Sequence, residues 1–450
     1  MTGEKIFTGV LLFLLKKLRT LFYSSKGGAR MVYYPIFPDP KALANHFFRA
    51  AWYFPAQSPR ITSVTMCCKT RAYPICPPPY FSDEPTEKSH ILIKRSRPCF
   101  LFDLLRCKII LKWDAKAALP WENVLKMAGI HIITIDTNDP EAVEFGMYPS
   151  IIWRYIISGK EQKKIIDESY KRFKKFCANM KRENFENAVV CGNGPSLDNA
   201  FRFDFEKSFV LACNSIVKND ALLRHLRPRI LTGCDSVSHV GISKYASEYR
   251  KDLVKFLKEH KDVLYFTTIT MGYIICLHYP EIAEQCLFIE QTSKGPVYDL
   301  LQNYGAPQLD STTNIHLLPI AATICDSIFL LGCDGKIPNA DNEDFWKHSL
   351  HAQYHDLVNT GHLCHPTFDV RRQRITYKRY LDSVKATIIG GEARGKQYIS
   401  LAASHVPELA ERSLTPGWYD AHFTPQERHC LSVKAIQSEL HKTEKRRIWR

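Results

Sequence analysis

Hydrophobic positions along this chain follow two periods, and one stretch sets the frame for both. Ala188 to Cys191 is an unbroken apolar run, closed by Gly192-Asn193-Gly194-Pro195, with Ser196 where a helix can begin. A short apolar run bounded by glycine reads as a strand buried on both faces, the kind found in parallel sheets. The signature returns downstream. Ser208 to Cys213 ends in Asn214, and Ile230 to Gly233 ends in Cys234-Asp235. Val263 to Thr268 and Cys286 to Glu290 follow, and Ser327 to Gly332 ends in Cys333-Asp334. Between these runs the period lengthens. Lys160 to Arg182 carries Ile165, Ile166, Tyr170, Phe173, Phe176, Cys177 and Met180 at helical spacing, with lysines on the other face. Ile315 to Cys325 reads as an apolar helix and Thr376 to Val384 as another. The alternation predicts a doubly wound, mainly parallel, Rossmann-like α/β sheet over residues 161–400, joined by right-handed crossovers.

The flanking regions differ. Met31 to Phe81 is rich in proline and aromatics and reads as irregular, with at most short helices between Pro40 and Trp52. Strands are expected at Ile91 to Lys94, Leu101 to Leu105, Ile109 to Trp113 and Ile130 to Ile135, with a helix from Pro120 to Met127. Residues 31–160 thus form an irregular α/β N-terminal region without evident chemistry. In residues 1–30, the apolar stretch Ile6 to Leu15 precedes Lys16, Lys17 and Arg19. It is too short to span a bilayer, which takes about 20 residues. A helix in the membrane interface, basic side to the headgroups, fits it, as does an ordinary packed terminal helix. Residues 401–450 read as a loop and short helix, then a basic tail with Lys442, Lys445, Arg446, Arg447 and Arg450 around Trp449. That tail suits either acidic lipid or bulk water.

Composition narrows the picture. With 450 residues, 45% of them hydrophobic and 12% aromatic, the chain is globular and long enough for two or three domains. A net charge of +15 favours anionic partners without choosing among them. The 15 cysteines are irregularly spaced, several inside apolar runs, which is the usage of reduced thiols in a cytoplasmic protein. His362-Leu363-Cys364-His365 lacks a second cluster, so no metal site is assigned. A cytoplasmic, peripheral membrane location is expected.

The chemistry concentrates just past the strand ends. Asn193, Asn214, Asp235 and Asp334 recur there, and in open α/β sheets those ends form one crevice. Free N–H groups of the turn, with a helix N-terminus, would attract a phosphate, and the Asn193 amide can both donate and accept. A tight strand-to-helix turn without ligand is the other reading. After Asp334 come Trp346, His348, His351, Tyr354, His355, His362 and His365, a histidine-rich segment that reads as a lid or active-site loop.

In order and spacing these residues are similar to a known family. The run from Val189 to Leu197, the strand ending at Asn214, Ser311-Thr312-Thr313, then Leu331-Gly332-Cys333-Asp334 and the histidine loop resemble the bacterial lipooligosaccharide sialyltransferases. They also resemble the related motility accessory factors and 6-hydroxymethylpterin pyrophosphokinases. The resemblance covers about Glu186 to Tyr380. It implies that Asn193, with Gly192, Gly194, Pro195 and Ser196, holds the CMP part of a donor, and that Asn214 and Asp235 join it. Ser311 and Thr312 would hold ribose or phosphate, with Thr313 where the family has glycine. Asp334 matches the family's aspartate, but Gly335 and Lys336 replace the aromatics after it, so Lys336 or Tyr354 would steady the donor phosphate. His365 would be the base, with His362 second. No DxD motif is present, Asp341 and Asp344 lying three apart, which suits a metal-independent transfer without cofactor. The implied activity is sugar transfer from a CMP-linked donor to a glycan or glycolipid acceptor at an acidic membrane surface, with no nucleic acid involved. Two alternatives stand: a pterin pyrophosphokinase, which would need Mg²⁺, and a non-catalytic sugar-nucleotide-binding protein at a membrane.

Overall fold

Two parallel sheets run through the computed structural model, which describes residues 28–70, 75–95, 97–135, 147–293, 295–307, 311–338, 348–364 and 370–448, with Phe13 and Lys17. The first sheet is built from β1 (Ala29–Tyr34), β2 (Ile61–Cys67), β3 (Ile91–Lys94), β4 (Ile109–Lys112) and β5 (His131–Thr134), in the order β3-β2-β1-β4-β5. Its helices are α1 (Pro40–Tyr53), α2 (Arg97–Arg106) and α3 (Glu122–Met127). Two expectations are corrected here. The proline-rich stretch is not irregular: Met31, Val32 and Tyr33 are buried in a central strand. Asp39 accepts from Ala42 N (2.9 Å) to cap α1, whose first residue is Pro40. Proline thus marks a helix start rather than a loop. Leu101 to Leu105 is helix, not strand. A short apolar run does not distinguish the two states, and buried Phe100 and Leu104, four apart, give α2 its inner face.

The second sheet holds β6 (Asn187–Cys191), β7 (Ser208–Cys213), β8 (Ile230–Thr232), β9 (Leu264–Thr268), β10 (Cys286–Ile289), β11 (Ser327–Leu331) and β12 (Gln397–Ser400). Its order is β10-β9-β8-β7-β6-β11-β12, every pair parallel. The chain is therefore a doubly wound α/β protein, and the strand order reverses between β6 and β11. Every residue of β6, β7 and β11 is buried, as the unbroken apolar runs require. The main helices are α4 (Gly159–Glu183), α5 (Lys244–Glu259), α6 (Ile269–His278), α7 (Leu318–Ile324), α8 (Val358–Cys364), α9 (Val370–Glu392) and α10 (Val433–Ile448). Alternate strand residues feed two layers. Val189, Cys191, Val210 and Ala212 face one. Ala188, Val190, Phe209 and Leu211 face the other, where α4 lays Phe173, Phe176, Cys177 and Met180 with its lysines outward. The first layer continues into Tyr33, Phe37 and Trp52, so both sheets share one core.

The C-terminal tail is partly docked. Val433 and Ile436 are buried, and Asn187 Nδ2 donates to Gln437 Oε1 (2.9 Å), pinning α10 to the start of β6. Trp449 lies outside the described residues, as does nearly all of the N-terminal segment. Among the described residues, no helix is long and apolar enough to cross a membrane.

Candidate functional site

The carboxyl ends of β6 and β11 meet at the reversal of strand order. Gly192 N donates to Leu331 O (2.8 Å) and Gly194 N to Gly332 O (2.8 Å), locking the two turns together. Gly332 sits at φ +72°, and a Cβ there would strike the Gly192 carbonyl oxygen. A Cβ on Gly194 would strike the Asp334 carboxylate. These glycines serve the approach of backbone to backbone and carboxylate to turn. Gly332→Ala is therefore expected to destabilise the chain by more than the roughly 1–2 kcal/mol of the left-handed backbone alone. Denaturant titration checks this, and an unchanged midpoint would argue against the close approach.

The turn's anion site is already filled. Ser196 N donates to both oxygens of Asp334 (3.1 Å each), and Ser196 Oγ donates to Asp334 Oδ2 (3.1 Å) while accepting from Gly332 N (2.9 Å). The expectation of free N–H groups awaiting a phosphate is corrected at Ser196: the protein supplies its own carboxylate. Burial pushes the Asp334 carboxyl above its ordinary value, against the hydrogen bonds from Ser196.

Asn193 is engaged as well. It is 8% exposed, and with its amide oriented to satisfy both atoms it donates to Cys213 O (2.9 Å) and accepts from Ser215 N (3.3 Å). Its backbone carbonyl accepts from Ser349 N (2.7 Å), and Ser215 Oγ donates to Ala352 O (2.5 Å). Asn193 thus clamps the β6 turn to β7 and to the segment after Asp334. Truncating it leaves buried partners unpaired, so fold and site are coupled here rather than separable.

Open polar groups gather beside this clamp. Asn214, at φ +53°, accepts at Oδ1 from Thr312 Oγ1 (3.1 Å), which lies 3.1 Å from Cys234 Sγ. The Asn214 amide nitrogen has no partner among the described residues. Ser311 Oγ accepts from Asn314 N (3.2 Å), and Thr313 is half-buried beside it. Asp235 accepts from Val237 N (2.7 Å) and Ser238 N (2.8 Å) through one oxygen, leaving Oδ2 without a partner among the described residues. Lys336 N donates to Tyr377 Oη (2.9 Å), and its ammonium has no ion pair among the described residues. Pro195 opens the short helix Pro195–Arg202.

Residues 348–364 of the histidine-bearing segment are docked on the short helices after β6 and β7 and on α5. Ser349 Oγ donates to Asp198, Lys218 Nζ to Gln353 O (2.7 Å), and Tyr245 Oη to Gln353 Oε1. Tyr354 Oη donates to Asp252 Oδ2 (2.6 Å), so its hydroxyl serves the docking of the segment. Arg49 of α1, 1% exposed, donates to Cys364 O (2.6 Å), fixing the end of α8 from the first sheet. His351, His355 and His362 are exposed and His348 half-buried. His365 lies outside the described residues, as does Trp346.

Three histidines matter that the sequence patterns did not single out. His405 follows β12, its N–H donates to Asp334 O (2.6 Å), and its side chain is close enough to favour the Asp334 carboxylate. Its signal was position past a strand end, hidden because β12 itself (Gln397–Ser400) is short and only alternately buried. His239 Nδ1 accepts from Asp235 N (3.0 Å) beneath the crevice. His316 is fully buried, and neither ring nitrogen has a hydrogen-bond partner among the described residues.

No protein-family model matches the chain, and no curated protein matches it. Among solved structures it is similar to the sialyltransferase CstII from Campylobacter jejuni in complex with a substrate analogue, cytidine-5'-monophosphate. The identity is 12%, over 52% of this chain and 87% of that one, with a TM-score of 0.28. It is also similar to the MAf glycosyltransferase from Magnetospirillum magneticum, at 9% identity over 81% of this chain and 58% of that one, with a TM-score of 0.24. Likeness at this level does not speak to chemistry.

Proposed function

We propose that this chain is a glycosyltransferase that moves a sugar from a CMP-linked donor to a glycan or glycolipid acceptor at an acidic membrane surface. One observation supports the reading above the rest. Unspent hydrogen-bonding groups of Asn214, Asp235 and Lys336 collect at the strand ends around the switch point, where open α/β sheets take nucleotides. Asn214 and Thr312 suit the ribose and base. The Lys336 ammonium suits the donor phosphate, the leaving group whose charge grows in the transition state. The acceptor hydroxyl needs a base: the family resemblance points to His365, with His362 second, and His405 is the histidine whose side chain favours the Asp334 carboxylate.

Calorimetric titration with CMP, UDP, GDP and ATP, with and without Mg²⁺, tests the reading. CMP binding that is indifferent to Mg²⁺ is expected. Tight ATP binding only with Mg²⁺ favours a pyrophosphokinase, and CMP-sugar binding without donor turnover favours a non-catalytic role. Lys336→Met is expected to weaken CMP binding by about tenfold or more, the loss of one charged hydrogen bond. The histidine that acts as base should lower turnover by about 10²- to 10⁴-fold on replacement with alanine while CMP affinity holds. If neither His365→Ala nor His405→Ala slows transfer, both assignments fail.

A further inference from the structure

The two sides of the first sheet have different fates. Met31, Tyr33, Ile109 and Leu111 belong to the layer that continues into the second sheet. Val32, Cys67, Ile110 and Ile130 face away from it, under Phe100 and Leu104 of α2 and Leu125 of α3. Helices α2 and α3 therefore form the outer side of the first sheet. That side carries an unusual set of exposed apolar residues: Phe102 (47%), Trp121 (62%) and Met127 (51%). Leu92 (43%) alternates with inward Ile91 on edge strand β3 and so faces the same way.

Trp121 gives a second, independent sign. Its backbone lies at φ +57°, a region costly for a bulky side chain, and the fold still leaves the indole in solvent. The stretch that builds this side is basic in sequence: between positions 88 and 130 there are nine lysines and arginines and three acidic residues, of which Asp103 pairs with Lys94 (2.5 Å). Arg106 sits over the Phe102 ring (4.7 Å), and Lys126 pairs with Glu122 (2.6 Å) beside Trp121. Apolar side chains within a basic field match the interface of an anionic bilayer, where indole rests at headgroup level and cations meet phosphates. A nucleic acid would use the cations but gain nothing from Met127 or Leu92.

We propose that the α2/α3 side of the first sheet docks on an anionic lipid surface, with Trp121, Phe102, Met127 and Leu92 entering the headgroup layer. This rests on the peripheral-membrane part of the reading above and not on the transfer chemistry.

The test uses the full chain and phosphatidylcholine vesicles with and without phosphatidylserine. Wild type is expected to co-sediment only with the anionic vesicles, and less as salt rises. Replacing Trp121, Phe102 and Met127 together by serine is expected to lower partitioning by about tenfold or more without shifting thermal unfolding, since all three are exposed. A blue shift of tryptophan fluorescence on anionic vesicles should be smaller in Trp121→Phe, a readout that does not need the triple variant to fold. If the triple variant partitions like wild type, or the blue shift persists in Trp121→Phe, this face is not the docking site, while the membrane reading stands. If wild type ignores anionic vesicles, both fail and the transfer chemistry is untouched.

Discussion

Glu84→Ala is expected to cost about 3–5 kcal/mol of stability, the loss typical when one member of a buried ion pair is removed. Arg250 is completely buried in α5. Its guanidinium donates to Glu84 through Nε (3.3 Å) and Nη2, and through Nη1 to the carbonyls of His239 (3.1 Å) and Gly241 (2.8 Å). Tyr279 Oη and Ser82 Oγ also donate to Glu84, and Trp52 lies 4.0 Å from the guanidinium. This node ties α1 and the strap around Ser82 to the second sheet. Burial alone would raise the Glu84 carboxyl, but the Arg250 charge and the donated hydrogen bonds outweigh it and hold the group at about 2. Removing Glu84 strands a cation that cannot shed its proton. The control is the double variant Glu84→Leu with Arg250→Met, which removes both charges and should recover much of the loss. Equal destabilisation of the single and double variants would mean the node acts through packing rather than charge.

That node also marks where sequence reading stops. Nothing in the sequence pairs Glu84 with Arg250 across 166 positions, because the contact exists only once two sheets share a core. Local signals did better. The unbroken runs of β6, β7 and β11 announce strands buried on both sides, and the reversal at β6 and β11 follows from their arrangement. In the N-terminal sheet β3, β4 and β5 were legible as apolar runs, whereas β1 and β2 were hidden in a proline-rich stretch whose helix start needs the Asp39 cap to be seen. At the site, residue types past the strand ends were legible, but their occupancy was not. Asp334 spends its carboxylate on Ser196, and Asn193 spends its amide on β7, because the turn engages both before any ligand arrives. Asn214 and Lys336 keep atoms without partners among the described residues, and only side-chain geometry separates the two cases. His405 went unseen because its strand did.

Stability should fall steeply as pH drops from 7 to 5. Four buried histidines resist protonation in the folded chain. Burial holds His46 at about 3, helped by the Arg49 charge, and His316 at about 3, helped by His239. Burial also holds His239 at about 4 against the pull of Asp235, and His278 at about 4 against its hydrogen bond to the Trp52 carbonyl. In the unfolded chain each titrates near 6.5. Below that value the unfolded state binds more protons than the folded state, so stability keeps falling as pH drops and levels off only once the folded values are passed. At pH 5 the penalty is about 2 kcal/mol per histidine, or about 8 kcal/mol if the four act independently, comparable to the whole stability of a domain. Asp252 and Asp334, both raised by burial, take up protons in the folded state first and oppose the loss only at the acid end. Calorimetric melting at fixed ionic strength between pH 8 and 5 reads the effect. The pH dependence should approach four protons, and His316→Phe, which removes a ring with no hydrogen bond to lose, should reduce it by about one. A melting temperature that stays flat from pH 7 to 5 would show that these imidazoles are hydrated or paired in the folded chain.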